Sequence, residues 1–425
     1  MKLTILSFQL LVSLSSMLAA TIASFRPKPL ESLASLFSRS GLKRIVQATG
    51  HWIAFIATIA GIAVPFLSFF AACIAFVTSI PLVLNAAHVN VVRTWFWALL
   101  LPITSVLLAI VQPLGLKVMA LPKADVLSFK PVPWRVIKTY DEGLWFEGIA
   151  AGEDGTLYLS GNRGIDFSRG DYYHNAHGEL IARKSDGTEQ VVFKTPEGLT
   201  AGVPVVASDN SVYLTSHGAA SFIWHIDTSG NATQLAQLPN GSWPNGIDFG
   251  PDGMLYSPDS NLGLIWRIDP ESGKAAVAFR DPALRARPFI SLAPGANGLH
   301  FKGREMLVTV SDRVTVLRYL MDDHSSFGPG SIIASGIPGD DFAIGQDGSL
   351  FITTHPYNTL VHISPDGNRS IIAQQEQHIV GATDAVFGKT AQDRNTLYVV
   401  TDGGAFTGGP KTRGELVALE PYTKQ

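Results

Sequence analysis

Two patterns of apolar and polar positions divide this chain. Up to about residue 121 the apolar residues run in long stretches, 3–24, 52–87 and 95–116, each free of Asp, Glu, Lys and Arg. Beyond Ala124 they come instead in short alternating runs, broken at regular intervals by Gly, Asn, Asp and Pro. An uncharged apolar run of roughly 18 residues or more is a candidate membrane helix, whereas short alternating runs between turn residues read as strands. The pattern therefore predicts an α-helical membrane region over residues 1–121, a proline-containing linker over 122–131 and an all-β domain over 132–425.

Within the first region, Lys2 precedes the first stretch and the small residues Ala20 and Ala23 close it. Both an uncleaved anchor and a cleaved signal fit that arrangement. The basic loop carrying Arg26, Lys28, Arg39, Lys43 and Arg44 belongs on the cytoplasmic side. Pro65 and Pro81 interrupt the second stretch, which is either one kinked span or a tight hairpin, and Trp95 and Trp97 mark the edge of the third. No ionisable residue sits at the centre of a stretch, so the region reads as an anchor to the lipid bilayer rather than an ion or proton path. The side on which the β domain lies follows from whether 52–87 crosses once or twice. Sequons at Asn231, Asn240 and Asn368 favour a lumenal or extracellular domain.

The β domain repeats a unit of about 45 residues, the length of one four-stranded propeller blade. Six units begin near FEGIAAGEDGTLYLS (from Phe146), VPVVASDNSVYLTS (Val203), PNGIDFGPDGMLYS (Pro244), ANGLHFKGREMLVTV (Ala296), DDFAIGQDGSLFITT (Asp340) and DAVFGKTAQDRNTLYVVT (Asp384). Each twisted sheet can cover its faces only against neighbours around an axis, so a six-bladed β-propeller is expected. The single cysteine, Cys73, lies outside the repeats, so no intrachain disulfide can close the ring. The strand expected at 134–140 must instead pair with the last blade around 414–419.

Net charge adds an exclusion. With 32 basic and 35 acidic residues the formal charge is −3, and the β domain carries no basic run, so nucleic acid is not an expected partner.

Candidate chemistry lies at the start of the first strand of each unit, the strand nearest the axis of a propeller. Glu147, Asn245, Asn297, Asp340 with Asp341, and Asp384 occupy equivalent offsets in five of the six units, and all are oxygen donors. One such Asn-Gly or Asp-Gly is usually a turn. Five in register converge on one point, and two carboxylates with two amides suit calcium or another divalent metal.

At these residues the sequence resembles the calcium-dependent six-bladed propellers that include gluconolactonase (senescence marker protein, or regucalcin), the serum paraoxonases and the strictosidine-synthase-like proteins. The resemblance covers about residues 132–420. FEGIA, PNGI, ANGL and GDDFAI look like that family's metal ligands, which implies Glu147, Asn245, Asn297 and Asp340 here. DDFAIGQDGSLFITTHPYN looks closest to the paraoxonase form, with Asp341 where that form has Asn and with His355-Pro356 following. The paraoxonase histidine dyad is incomplete. His217 matches one member, and the other falls near Gly202 or Val203.

The resemblance implies hydrolysis of a lactone or related ester, with the metal polarising the carbonyl and Asp340 or Asp341 activating water. His217 and His355 are candidates for orienting substrate or moving a proton. A reading from another class is a non-catalytic, membrane-anchored propeller that binds a protein or lipid partner. A strictosidine-synthase-like condensation needs a glutamate at an amine pocket, and no residue of this sequence is placed there. The segments 161–177 and 406–412 are expected to form the rim of the site.

Overall fold

The computed structural model describes residues 121–165, 173–287, 293–405, 409 and 411–423. The apolar stretches 3–24, 52–87 and 95–116 lie outside the described residues. Among the described residues no helix is long and apolar enough to cross a membrane.

Among the described residues, six antiparallel four-stranded sheets form the six blades. The innermost strands are Trp145–Ala151, Pro204–Val206, Asp248–Phe249, Ala296–Lys302, Phe342–Ile344 and Ala382–Phe387, in chain order. Each pairs with a second strand: Leu157–Arg163, Val212–Ser216, Leu255–Asp259, Glu305–Val310, Leu350–Thr353 and Leu397–Thr401. The tight turns between them place Gly155, Gly253 and Gly348 at positive φ, the conformation that makes Asp-Gly a turn signal.

The ring closes as the repeat predicts. Trp134–Thr139 is the outermost strand of the sixth sheet, paired with Glu415–Leu419 from Trp134 opposite Leu419 to Thr139 opposite Glu415. Main-chain hydrogen bonds between the two ends of the domain thus do the work of a disulfide.

Apolar burial sits between blades, where a propeller needs it. Val400 and Leu416 of the sixth blade pack with Phe146, Ile149 and Leu159 of the first, and Phe351 and Leu360 of the fifth pack with Leu397 and Val417 of the sixth. Alternate positions of each strand face one neighbour or the other, so a strand buried on both faces reads as nearly continuous Val, Leu and Ile.

The segment expected as a stiff linker does more than connect. Ser128 and Lys130 exchange main-chain hydrogen bonds with Ile371, and Val132 N donates to Ile372 O at 3.2 Å, so this segment runs as a parallel strap along the outer strand Arg369–Gln374 of the fifth blade. Leu127 packs into the core between the fourth and fifth blades. Pro122 O accepts a hydrogen bond from the Tyr357 hydroxyl, two residues beyond His355.

Candidate functional site

The local fold first explains why donor and glycine travel together. Gly246 and Gly298 are not in turns at positive φ. A Cβ at Gly246 would lie 2.7 Å from Leu299 N, and one at Gly298 would lie 2.3 Å from Asp341 Oδ1 and 2.7 Å from Asp341 Cα. The glycine after each Asn therefore lets the next innermost strand come close. Gly246 N donates to Asn297 O at 3.0 Å, and Gly298 N donates to Asp340 O at 3.1 Å.

Hydroxyls on the second strands lock this arrangement from outside. Thr215 Oγ1 donates to Asn245 O at 2.8 Å, Thr353 Oγ1 donates to Thr383 O at 2.7 Å, and Thr309 Oγ1 donates to Asp340 O. Each reaches the innermost strand of the following blade, so the main chain carrying the donors is fixed before any ligand arrives.

The donors split into two layers. In the first, Asn297 Nδ2 donates to Asp340 Oδ1 at 2.6 Å and to Ser311 Oγ at 2.9 Å. Asn245 is buried, with its Nδ2 3.4 Å from Ser260 Oγ, and the amide of the next residue, Gly246, donates to Asn297 O. His355 Nδ1 lies 3.8 Å from Asp340 Oδ2, and His355 Nε2 lies 2.9 Å from Asp402 Oδ2.

The charges of this layer are strongly perturbed. Burial pushes the Glu147 carboxyl up to about 7, with the nearby Asp402 and Asp341 adding to the shift and His355 opposing it. Asp340 is raised well above the usual carboxylate range, first by burial and then by Glu147. For His355 burial works against the charged form, but Asp402, Asp340 and Glu147 outweigh it and hold the imidazole at about 9. Packed carboxylates that resist ionising together suit a cation that lets them ionise.

In the second layer Asp341 turns away from Asn297. Its Oδ1 lies 3.1 Å from His300 Nε2 and accepts a hydrogen bond from Phe342 N at 2.8 Å. Asp384, the sixth-blade donor, accepts from Ile149 N at 2.8 Å and from Ala385 N at 2.6 Å. The structure thus groups Asn297, Asp340 and His355, with Glu147 in electrostatic contact, and it directs Asp341 and Asp384 toward His300.

His217 stands apart from both layers. Its Nε2 is 2.9 Å from the Tyr173 hydroxyl, its Nδ1 is 3.1 Å from Thr200 Oγ1, and its ring lies 4.9 Å from that of Trp243. Burial drives its pKa down to about 3, so the ring is neutral at physiological pH. It lines a cleft of about 340 Å³ with Tyr173, Ser221, Ser242, Trp243 and Asn261. Trp243 is two residues from Asn245, which joins the cleft wall to the donor strand. Of the rim segments, 166–172, 406–408 and 410 lie outside the described residues.

The sequence pattern singled out neither Asp402 nor His300 as a site residue. Asp402 follows the second strand of the sixth blade as His217 and His355 follow theirs, so an alignment of second-strand ends would have found it. His300 is three residues beyond Asn297 on an innermost strand, an offset at which no other blade has a histidine.

The donor set fits a divalent cation. Asn297 Oδ1 is buried without a hydrogen-bond partner among the described residues, while its amide nitrogen is committed to Asp340 and Ser311. An orphaned carbonyl oxygen beside an excess of carboxylate is what a hard cation would satisfy.

No family model and no curated protein matches the chain. Solved structures do. A protein provisionally described as a gluconolactonase is 17% identical, with 70% of this chain and 97% of that chain covered and a TM-score of 0.50. Regucalcin of Agrobacterium tumefaciens, a calcium-binding protein, is 18% identical over 69% of this chain and 95% of its own, with a TM-score of 0.49. A gluconolactonase of Xanthomonas campestris is 17% identical over 70% and 98%, with a TM-score of 0.48. At this identity the first likeness shows the six-bladed propeller fold alone.

Proposed function

We propose that this chain is a divalent-metal-dependent hydrolase of lactones or related esters, with calcium the metal best suited to its donors. The observation that supports this reading most is the unpartnered, buried Asn297 Oδ1 beside Asp340, within a set of oxygen donors brought from separate blades. Glu147, Asn245, Asn297 and Asp340 would hold the ion. Calcium, when bound, supplies positive charge against which a carbonyl oxygen can become an oxyanion.

The protein's own groups then divide the remaining work. Asp340 is the proposed base, because its Oδ1 is engaged by Asn297 while Oδ2 faces His355 and is placed to take a proton from water. Asp341, the other candidate base, is engaged by His300 and takes no part at the reacting end. His355, backed by Asp402, is the group to pass that proton to the leaving alkoxide. His217 is a neutral hydrogen-bonding wall, and the cleft it shares with Trp243 and Tyr173 would take the organic part of the substrate. Residues 1–121 would tether the enzyme to the bilayer, with the propeller on the lumenal or extracellular side.

The test is a screen of the purified chain against aliphatic lactones and aryl esters, with calcium and with chelator. Turnover is expected only with calcium, and Asp340→Asn should lower kcat by about 10²–10⁴, the scale of a lost general base. Calcium binding with no turnover of any ester would favour instead the non-catalytic, partner-binding propeller, for which the incomplete histidine dyad is the supporting feature.

A further inference from the structure

The second layer of donors has its own chemistry. His300 and Asp384 lie on the innermost strands of the fourth and sixth blades and Asp341 immediately precedes that of the fifth, and each offers a ligand atom within 4.8 Å of the others. Asp341 is only 2% exposed, and its Oδ2 is buried with no hydrogen-bond partner among the described residues. A carboxylate oxygen left bare in the interior is costly unless a positive charge meets it.

The histidine is already oriented for ligation. Its Nδ1 lies 3.5 Å from Asp248 Oδ2, and that carboxylate is fixed by Phe249 N donating to Oδ1 at 2.8 Å and Phe301 N donating to Oδ2 at 2.9 Å. Phe342 packs edge-on against the ring at 4.9 Å. An ionised carboxylate only accepts, so in the metal-free protein the ring donates from both nitrogens, Nδ1–H toward Asp248 and Nε2–H to Asp341 Oδ1 at 3.1 Å, and a bound ion would take the place of the Nε2 proton. A carboxylate that orients a histidine in this way is the usual outer partner of a metal ligand. The glycine at 298 leaves the space that the Asp341 carboxylate occupies.

We propose that His300 Nε2, Asp341 and Asp384 form a second cation site, with Asp248 as its orienting partner, for a divalent ion of the manganese–zinc class. One nitrogen with two carboxylates selects such an ion over calcium, whose preferred donors are all oxygen. Two carboxylates and a neutral imidazole balance a divalent charge. The ion would tie three blades together beneath the hydrolytic layer, and the site does not depend on the reading of that layer.

The test uses the full chain, depleted with chelator and then titrated with MnCl2, with Mn(II) followed by electron paramagnetic resonance. The bound ion should show nitrogen hyperfine coupling from one histidine. His300→Gln should abolish that coupling and weaken manganese binding at least tenfold, and Asp384→Asn should weaken it similarly while thermal unfolding shows both variants folded. Asp340→Asn should leave the coupling and the manganese affinity unchanged, even where calcium binding is lost. Absence of nitrogen coupling in the wild-type chain, or manganese affinity unaltered by both His300→Gln and Asp384→Asn, would overturn the proposal.

Discussion

At the residue scale, the pair formed by a donor and the glycine after it does two separate jobs. Asn297 carries the oxygen proposed to meet the ion, and Gly298 lets the fifth blade approach closely. Gly298→Ala would force a Cβ into the Asp341 main chain and carboxylate. Overpacking of this kind typically costs about 1–3 kcal/mol, so the variant should show a lower denaturant midpoint and weaker calcium binding together. Proton linkage gives a second expectation. In the metal-free protein Glu147 keeps its proton up to about pH 7, and a carboxyl must lose its proton to ligate. Calcium affinity should therefore rise as pH increases from 6 to 8, with protons released on binding, and calorimetry in buffers of different ionisation enthalpy will measure that release. The pairing of Asn297 with Asp340 was legible in the sequence because equivalent positions of adjoining repeats lie side by side, whereas Asp384, at the same offset, lies with His300. The role of the glycine was not legible, since Asn-Gly reads as a turn until the neighbouring strand is in place. The separation of Asp340 from Asp341 was also hidden, because adjacent residues point apart only once the strand's position on the axis is known.

At the scale of elements, the alternation of Val, Leu, Ile and Tyr with turn residues was enough to delimit strands, and the ring-closing strand at Trp134–Thr139 followed from the missing disulfide. The strap was harder to read. Pro131 and Pro133 suggest only an extended segment, and what that segment pairs with depends on the unsatisfied edge of the fifth blade. The amides of Lys130, Val132 and Ile371 should exchange with deuterium as slowly as those of the adjoining outer strand; fast exchange at Lys130 and Val132 would mean that the strap is not held. Ring closure makes a stronger demand. Leu416 is fully buried where the sixth blade meets the first, so Leu416→Ala should lower unfolding stability by about 2–5 kcal/mol, and a loss under 1 kcal/mol would show that this seam contributes little.

At the scale of the whole molecule, acidic groups brought to one axis make the metal-free fold sensitive to pH. Glu147, Asp340, Asp384, His300 and His355 all have folded pKa values raised above their unfolded ones. Groups of this kind bind more protons in the folded state, so stability is greatest below their unfolded pKa values and is lost as pH rises toward the folded ones. The melting temperature of the metal-free protein should fall between pH 5 and pH 8, and saturating calcium should restore much of it. The central claim is that Glu147, Asn245, Asn297 and Asp340 share one ion, and it is tested most directly by a crystal structure of the calcium-loaded protein. A single strong peak on the propeller axis, in contact with oxygens of all four side chains, is expected. A peak bound elsewhere, or an axis on which these four side chains reach no common atom, would contradict it.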